Sequence, residues 1–440
     1  MRPGLFLPLA LLGLAPLAPA ADGVPTYHGE ISRIIQTRCQ DCHRPGQVAP
    51  FSLLTYEQAR KRAGDIAGVA SDRSMPPWHA STREGGPFRD VRVMPQDEID
   101  ALAAWASAGA PEGDPTDAPP HREFPSDWPL GEPDLVLKPS AAYTLAADGP
   151  DEFRVFVLPS GLTEGKWIQG IDYRPGNLRV VHHVLAAFDT RGRARKLDEA
   201  DPTPGYSVSG GGYRIFPEGE LDGWAPGKSP HRLADGVARY LPAGSDVLLQ
   251  VHYHKSGKPE EDATAIGLYF AKAPVEKQLR AGGVLPPFRP LTFKPDLTIP
   301  AGADRHEVRG SMTLRSDIHV VAVIPHMHWL GRDFLLTAAL PDGSKTTLIR
   351  IDHWDFNWQS TYDLAAPLPL PKGTRLEMLA HFDNSESNPS NPTSPPKEVR
   401  WGEQTTDEMC IGFIHYTRDD EHLTGGPPAR KYDPLADWWP

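Results

Sequence analysis

The chain of 440 residues is too long for one compact core, and its length predicts about three domains. A formal net charge of −12 leaves no basic face for phosphate and argues against a nucleic-acid partner. Forty-eight prolines and forty glycines predict turns and short strands in place of long helices, and three cysteines make the chain disulfide-poor.

At the N-terminus Arg2 is followed by an apolar run, Leu5 to Leu17, and a small-residue stop, Ala18-Pro19-Ala20. This is the pattern of a cleaved secretory signal over residues 1–20, and it predicts a periplasmic or otherwise exported protein. The run is too short to anchor in a membrane, and no later stretch offers eighteen uninterrupted apolar residues. No membrane span is expected.

Cys39-Gln40-Asp41-Cys42-His43 follows. In a C-x-x-C-H motif the two thiols add to the vinyl groups of a covalent haem c, and the histidine, here His43, ligates the iron. The rival reading, a thioredoxin-like thiol pair, expects a βαβ setting, whereas this motif stands among helical signals. Thr55-x-x-Gln58 is a capping box that predicts a helix to about Asp72. Pro95 to Ala108 predicts a second, with Asp97, Glu98 and Asp100 in its first turn and Ile99, Leu102 and Trp105 as its apolar stripe. Together these segments predict a small all-α domain over residues 21–113 that resembles a class I cytochrome c. Met75, in Ser74-Met75-Pro76-Pro77-Trp78, suits the distal iron position, with Met94 and His79 as alternatives. Residues 110–133 hold seven prolines, and a semi-rigid linker is drawn at 114–133.

Beyond the linker, Phe153 to Leu158, Val180 to Phe188, Val247 to Tyr253 and Ile318 to Ile324 read as strands of sandwich-type domains. An internal repeat sets their limits. Leu241-Pro242-Ala243-Gly244 precedes His252-Tyr253, and Leu370-Pro371-Lys372-Gly373 precedes His381-Phe382 at the same interval. Downstream, Asp262-x-x-x-Ile266-Gly267 is matched by Asp407-x-x-x-Ile411-Gly412. Two matches in the same order predict duplicated all-β, jelly-roll-like sandwiches at 134–285 and 286–440.

Each half carries a histidine pair upstream of its repeat, His182-His183 and His326-Met327-His328. Residues two apart on a strand share a face, so His326 and His328 can hold one ion while Met327 points elsewhere. Adjacent His182 and His183 can share an ion only across a twist or bulge. Met409 replaces Thr264 of the first copy, and a thioether favours Cu(I) over zinc. Two metal sites are therefore expected, with copper favoured where Met409 joins the histidines, while three histidines alone leave zinc and copper open. His381, the duplicate of His252, competes with Met409 for the second, and His254 shares a face with His252.

These motifs resemble the copper type II, ascorbate-dependent monooxygenases over roughly residues 130–440. The resemblance rests on His182-His183-Val184-Leu185, Leu249-Gln250-Val251-His252-Tyr253, His326-Met327-His328-Trp329-Leu330-Gly331 and Asp407-Glu408-Met409-Cys410. It implies that His182, His183 and His252 bind an electron-storing copper and that His326, His328 and Met409 bind the oxygen-activating copper, and it counts Gln250, which matches a glutamine behind the metal ligands of the peptide-hydroxylating members, with the catalytic residues. In the peptide-hydroxylating members an arginine and an asparagine grip the substrate carboxylate, where this chain has Ile324 and Ile411, and the tyrosine four residues after the methionine is Phe413. Peptide amidation is not expected. The expected activity is hydroxylation of a C–H bond of a small substrate with O2, with electrons from ascorbate or an external one-electron donor relayed through the haem. The alternatives are a non-catalytic haem and copper electron-transfer or copper-binding protein and, less favoured, a carbohydrate-binding sandwich.

Overall fold

The structure, a computed structural model, describes residues 23–124, 128–209, 212–290 and 294–423. The expected signal segment lies outside the described residues. Two pairs of sheets dominate. In the first pair, one sheet runs in the order Tyr206–Val208, Glu152–Pro159, Asp246–Tyr253, Val181–Asp189, Gly219–Trp224. The facing sheet runs Lys277–Gln278, Val237–Leu241, Lys166–Arg174, Ala265–Phe270, Leu135–Leu137.

All eight residues of the central strand Asp246–Tyr253 are buried, because both of its faces are covered. Val247, Leu249, Val251 and Tyr253 enter the core between the sheets, while Leu248 packs outward with Phe153, Ala187 and Tyr206. The period of two then sends Gln250 and His252 outward as well, and this outward face carries the site.

In the second pair, one sheet runs Ala80–Gly85, Lys345–Ile351, Gly331–Ala339, Arg375–Phe382, His306–Thr313, and the other Arg280–Val284, Cys410–Arg418, Ile318–Met327, Tyr362–Leu370. On the Ile318–Met327 strand the register to Cys410–Arg418 slips between Val320 and Ala322, so Val321 is an extra residue. The bulge reverses the facing of the residues beyond it. Val323 and Met327 turn into the core, leaving Ile324 and His326 on the outer face, opposite Phe413 and Ile411 of the neighbouring strand.

The repeated segments occupy corresponding places, since each L-P-x-G stretch leads into a strand of one sheet and each Asp-x-x-x-Ile-Gly stretch leads into the sheet that faces it. The histidine pairs do not correspond. His182-His183 lies beside the strand of His252, whereas His326 lies beside the strand of Ile411, across the core from His381.

The expected all-α haem domain is corrected by the structure. Residues 23–124 hold four short α-helices, Ser32–Arg38, Tyr56–Arg60, Ala63–Ser71 and Gln96–Ser107, together with a strand, Ala80–Gly85, that pairs with Lys345–Ile351 of the second sandwich. The capping box forms, but the helix it opens ends at Arg60 and restarts at Ala63. Pro76, Pro77, Gly85, Gly86 and Pro87 prevent a continuous helix between the third and fourth of these helices. This interval instead runs extended over the second sandwich. There Trp78 and Phe88 pack on Tyr362, with ring centroids 5.2 and 5.6 Å away, and Arg89 N–H donates to the Asp363 carbonyl at 2.8 Å. Further on, Arg92 donates to the Gly227 carbonyl of the first sandwich. Residues 78–92 thus form a strap across both sandwiches.

The expected linker is also held at both ends. Arg33 and Gln36 donate to the carbonyls of Asp117 and Pro120, and Trp128 is buried near Gly267. Among the described residues no helix is long and apolar enough to cross a membrane. No disulfide joins the three cysteines.

Candidate metal centre

His182, His183 and His252 each present a ring nitrogen, and the three nitrogens lie within 4.8 Å of one another. The pairing of Val181–Asp189 with Asp246–Tyr253 explains how adjacent histidines reach one point. His252 stands opposite His183 but Tyr253 stands opposite Val181, so His182 is a bulge residue, as its adjacency to His183 requires. His183 Nδ1 is 3.2 Å from His182 Nδ1 and 3.3 Å from His252 Nδ1. Nitrogens about 2.0 Å from a tetrahedral ion are separated by roughly 3.3 Å, so this spacing fits metal ligation.

Asp151, which the sequence reading missed, fixes the third ligand. Its Oδ2 is 2.9 Å from His252 Nε2 and its Oδ1 is 3.1 Å from His254 Nδ1. The carboxylate therefore holds the Nε2–H of His252 and turns Nδ1 toward the other histidines. Phe153 stacks on the same ring, 4.1 Å away and 10° from parallel. His254 is exposed and turned to Asp151, outside the three-histidine group. We expect Asp151→Asn to weaken metal binding at this group about 10- to 100-fold in competition titrations with a chromogenic chelator. Unchanged affinity would refute the orienting role.

Gln250 is fully buried, two residues before His252 on the same face; its Nε2 donates to the Gly212 carbonyl, and its Oε1 has no partner.

The second group lies on the facing wall. His326 and His328 have ring centroids 5.1 Å apart at 90°. His326 Nδ1 sits 2.5 Å from Gln359 Oε1 and His328 Nδ1 sits 3.1 Å from the Asp407 carbonyl, which leaves both Nε2 atoms available. Met327 pairs with Cys410, so one step further along the two strands His328 comes beside Met409. Met409, His326 and His328 line one cavity together with His182, His183 and His252. His381 lies elsewhere, with Asp333 Oδ1 2.6 Å from its Nδ1 and Arg305 and Glu307 close by. A hydrogen bond to Asp333 within its own sheet accounts for it.

Glu408 organises this wall. Its buried carboxyl group accepts the backbone N–H groups of His328 at 2.8 Å, Leu330 at 2.6 Å and Met409 at 3.3 Å. Burial pushes its carboxyl up to about 8, against the pull of those three donors. Trp354 Nε1 donates to the His328 carbonyl at 3.1 Å, and a side chain at Gly331 would strike the Trp354 ring. That close approach explains the glycine in His-Trp-Leu-Gly.

Phe356, on the short turn Phe356–Trp358, stands between the two groups. Its ring is 5.8 Å from that of His182, nearly parallel, and 5.9 Å from that of His328. No periodic pattern surrounds this residue in the sequence.

Burial brings the His182 ring down to about 4 and the His326 ring down to about 3, and it lowers His183 and His328 as well. All four are neutral at pH 7, the form a metal requires. In the unfolded chain these rings titrate near 6.5. The unfolded state therefore takes up protons that the folded state refuses. Stability of the metal-free protein should be full above pH 6.5 and fall as the pH drops toward 4, by about 1.4 kcal/mol per pH unit per histidine. Urea unfolding between pH 7.5 and 4.5 checks this, and His182→Gln with His326→Gln should flatten the slope.

In the N-terminal region, Cys39, Cys42 and His43 lie on one turn, where His43 N–H donates to the Cys39 carbonyl at 2.9 Å and Cys42 N–H to the same oxygen at 3.2 Å. His43 Nδ1 is 3.3 Å from the Phe51 carbonyl, leaving Nε2 for a ligand. Both residues are half-buried and carry no disulfide, and burial pushes the Cys39 thiol up to about 12. Met94 is buried in the local core, which Cys39 borders. Met75 is half-buried in the turn that precedes the strap, and His79 lies near Asp355 and His353 of the second sandwich.

Residues 291–424 match the family model described as copper type II ascorbate-dependent monooxygenase, C-terminal domain. No curated protein matches the chain. Among solved structures, one of infectious bursal disease virus, Gt strain, has 10% identity and a TM-score of 0.19, covering 71% of this chain and 76% of that one. The VP2 subviral particle of the same virus has 7% identity and a TM-score of 0.18, covering 71% and 88%. The tandem CBM22 domain of Paenibacillus barcinonensis Xyn10C has 9% identity and a TM-score of 0.14, covering 67% and 99%. Scores this low carry no argument about fold or function. The family match supports a copper-dependent monooxygenase, an oxidoreductase for which a substrate, O2 and ascorbate are fitting partners.

Proposed function

We propose that this chain is an exported monooxygenase that uses O2 to hydroxylate a C–H bond of a small substrate, with one copper in each histidine group and electrons relayed through a covalent haem. The observation that carries the reading is the cavity of about 490 Å³ shared by both groups. A bound substrate there touches both walls. Copper supplies the activation of O2 and the single-electron steps, and the chain supplies position, dryness and neutral ligands.

His182, His183 and His252 would hold the electron-storing ion, with Asp151 orienting His252. His326, His328 and Met409 would hold the ion at which oxygen reacts, and the soft thioether favours its cuprous state. Glu408 fixes the backbone from which His328 and Met409 project. Phe356 keeps the space between the groups apolar. Cys39 and Cys42 would carry the haem through thioethers and His43 would ligate its iron, a role for which the free Nε2 is suited. Met75 is proposed as its distal ligand, with Met94 and His79 as alternatives. Ascorbate or an external one-electron donor would reduce it.

Metal analysis of the mature protein should find two coppers and one haem iron per chain. X-ray absorption at the copper edge should find a sulfur scatterer in the reduced state, and oxygen uptake should match hydroxylated product one to one. Copper without coupled oxygen uptake would instead mark a non-catalytic electron-transfer protein.

A further inference from the structure

The cavity continues past the histidine groups to a charged end, and the two ends differ in chemistry. Met409, Ile411, Phe413 and His415 alternate along the Cys410–Arg418 strand and its approach, and all four line the cavity. From Met409 to His415 is about 20 Å at the usual rise per residue. The middle of this path, Ile411 and Phe413 with Ile324 beside them, is apolar.

At the far end His415 faces the charges of Arg239, Asp222, Lys228 and His231. Asp222 is committed to Lys228, whose Nζ donates to its Oδ1 at 2.8 Å and also to the Gly223 carbonyl. Arg239 reaches the same Asp222 oxygen only at 3.8 Å, beyond hydrogen-bond distance. His231 is turned to Asp363 at 3.6 Å, and Arg280 is held by Glu421. The residue Arg239 is 9% exposed and lines the cavity. A guanidinium carries five N–H donors, and that of Arg239 makes one long ion pair with Asp222 and acts on the buried Glu220 carboxyl beside it, while among the described residues no hydrogen bond to the wall engages its planar fork.

We propose that Arg239 is the anchor for an anionic head group, so that the substrate is an amphipathic acid whose apolar chain or ring lies along Phe413, Ile411 and Ile324 toward the histidine groups. The planar fork of the guanidinium suits a carboxylate or another oxyanion held by two parallel hydrogen bonds. The anchor comes from the first sandwich, on the Val237–Leu241 strand, while the apolar path comes from the second, so a bound acid would span the gap between them. This inference rests on the reading of the cavity as the substrate site.

The test is calorimetric binding to the full-length protein under argon, with metal content measured on the same sample. Straight-chain alkanoates, alkylsulfonates and the matching primary amides of several lengths are the probes. The acids should bind about 10- to 100-fold more tightly than the amides, as expected for hydrogen bonds to a charged group. Arg239→Met should abolish that preference. Arg239→Lys keeps the charge beside Asp222 and the fold with it, and should reduce the preference several-fold because the fork is lost. Amides that bind the wild-type protein as tightly as the acids, a preference that survives in both variants, or no binding by any probe would each overturn the proposal. Absence of copper from a sample that prefers acids would sink the monooxygenase reading while leaving the anchor in place.

Discussion

Glu408→Ala should destabilise the protein by about 3–5 kcal/mol. The wild-type carboxyl group accepts from three buried N–H groups, those of His328, Leu330 and Met409, and alanine leaves all three without acceptors. Each orphaned donor costs about 1–3 kcal/mol, moderated where water enters the space left by the side chain. Glu408→Gln retains one acceptor oxygen and should cost roughly half as much. Urea midpoints of the two variants at pH 7.5 rank them. The effect should extend to function, because the segment that loses its clamp carries two members of the second histidine group. Copper affinity there should fall in Glu408→Ala even at temperatures where the variant remains folded. Equal stability of Glu408→Ala and wild type would show that the clamp has no energetic role.

The local signals that proved readable were those fixed by backbone period or by a single turn. The His326-x-His328 spacing placed both rings on one face because strand geometry allows nothing else, and Met327 does enter the core. The adjacency of His182 and His183 required a bulge, and the bulge is there. The helix over Gln96–Ser107 follows its apolar stripe almost to the residue. Contacts made across the fold were not readable. Asp151 reaches His252 over a separation of 101 residues, and Phe356 meets His182 over a still longer one. Neither has a neighbouring pattern to reveal it. Glu408 was quoted within a motif, yet its role depends on the approach of the His328 segment, which only the register of Ile318–Met327 against Cys410–Arg418 defines.

The N-terminal region shows how a correct local signal can mislead about a domain. The helix at Gln96–Ser107 forms as its stripe requires, the one opened by Thr55 breaks after Arg60, and together the helices cover only part of residues 23–124. The proline- and glycine-rich interval between them reads as a loop in isolation, and a loop was compatible with a self-contained helical bundle. What the composition hid is that Trp78 and Phe88 need a partner surface larger than the short helices provide. They find it at Tyr362, and the interval becomes a strand and strap of the second sandwich. The repeat matched strands, but it says nothing of the histidine pairs upstream of it, which sit in sheets that do not correspond. His381 inherits the sequence position of His252 and lies across the core from the second group.

Met409→Ile should leave the fold intact and reduce coupled product formation by at least about 100-fold. Loss of a residue that merely orients a metal ligand costs roughly 10- to 100-fold, and a direct ligand should cost more. Isoleucine has nearly the volume of methionine, so the cavity wall is conserved and destabilisation should stay below about 1.5 kcal/mol. The discriminating measurement is spectroscopic. In the reduced variant the sulfur scatterer at the copper edge should vanish while the imidazole contribution from His326 and His328 persists, because their Nδ1 partners, Gln359 and the Asp407 carbonyl, are untouched. The His182, His183 and His252 group should keep its copper, so the variant should still accept an electron without completing turnover. A sulfur signal that survives the substitution would have to come from elsewhere. Cys410 is buried and directed at the Met378 sulfur at 3.7 Å, on the core side of the strand, so it offers no substitute ligand. A persistent sulfur signal would therefore refute Met409 as the thioether ligand.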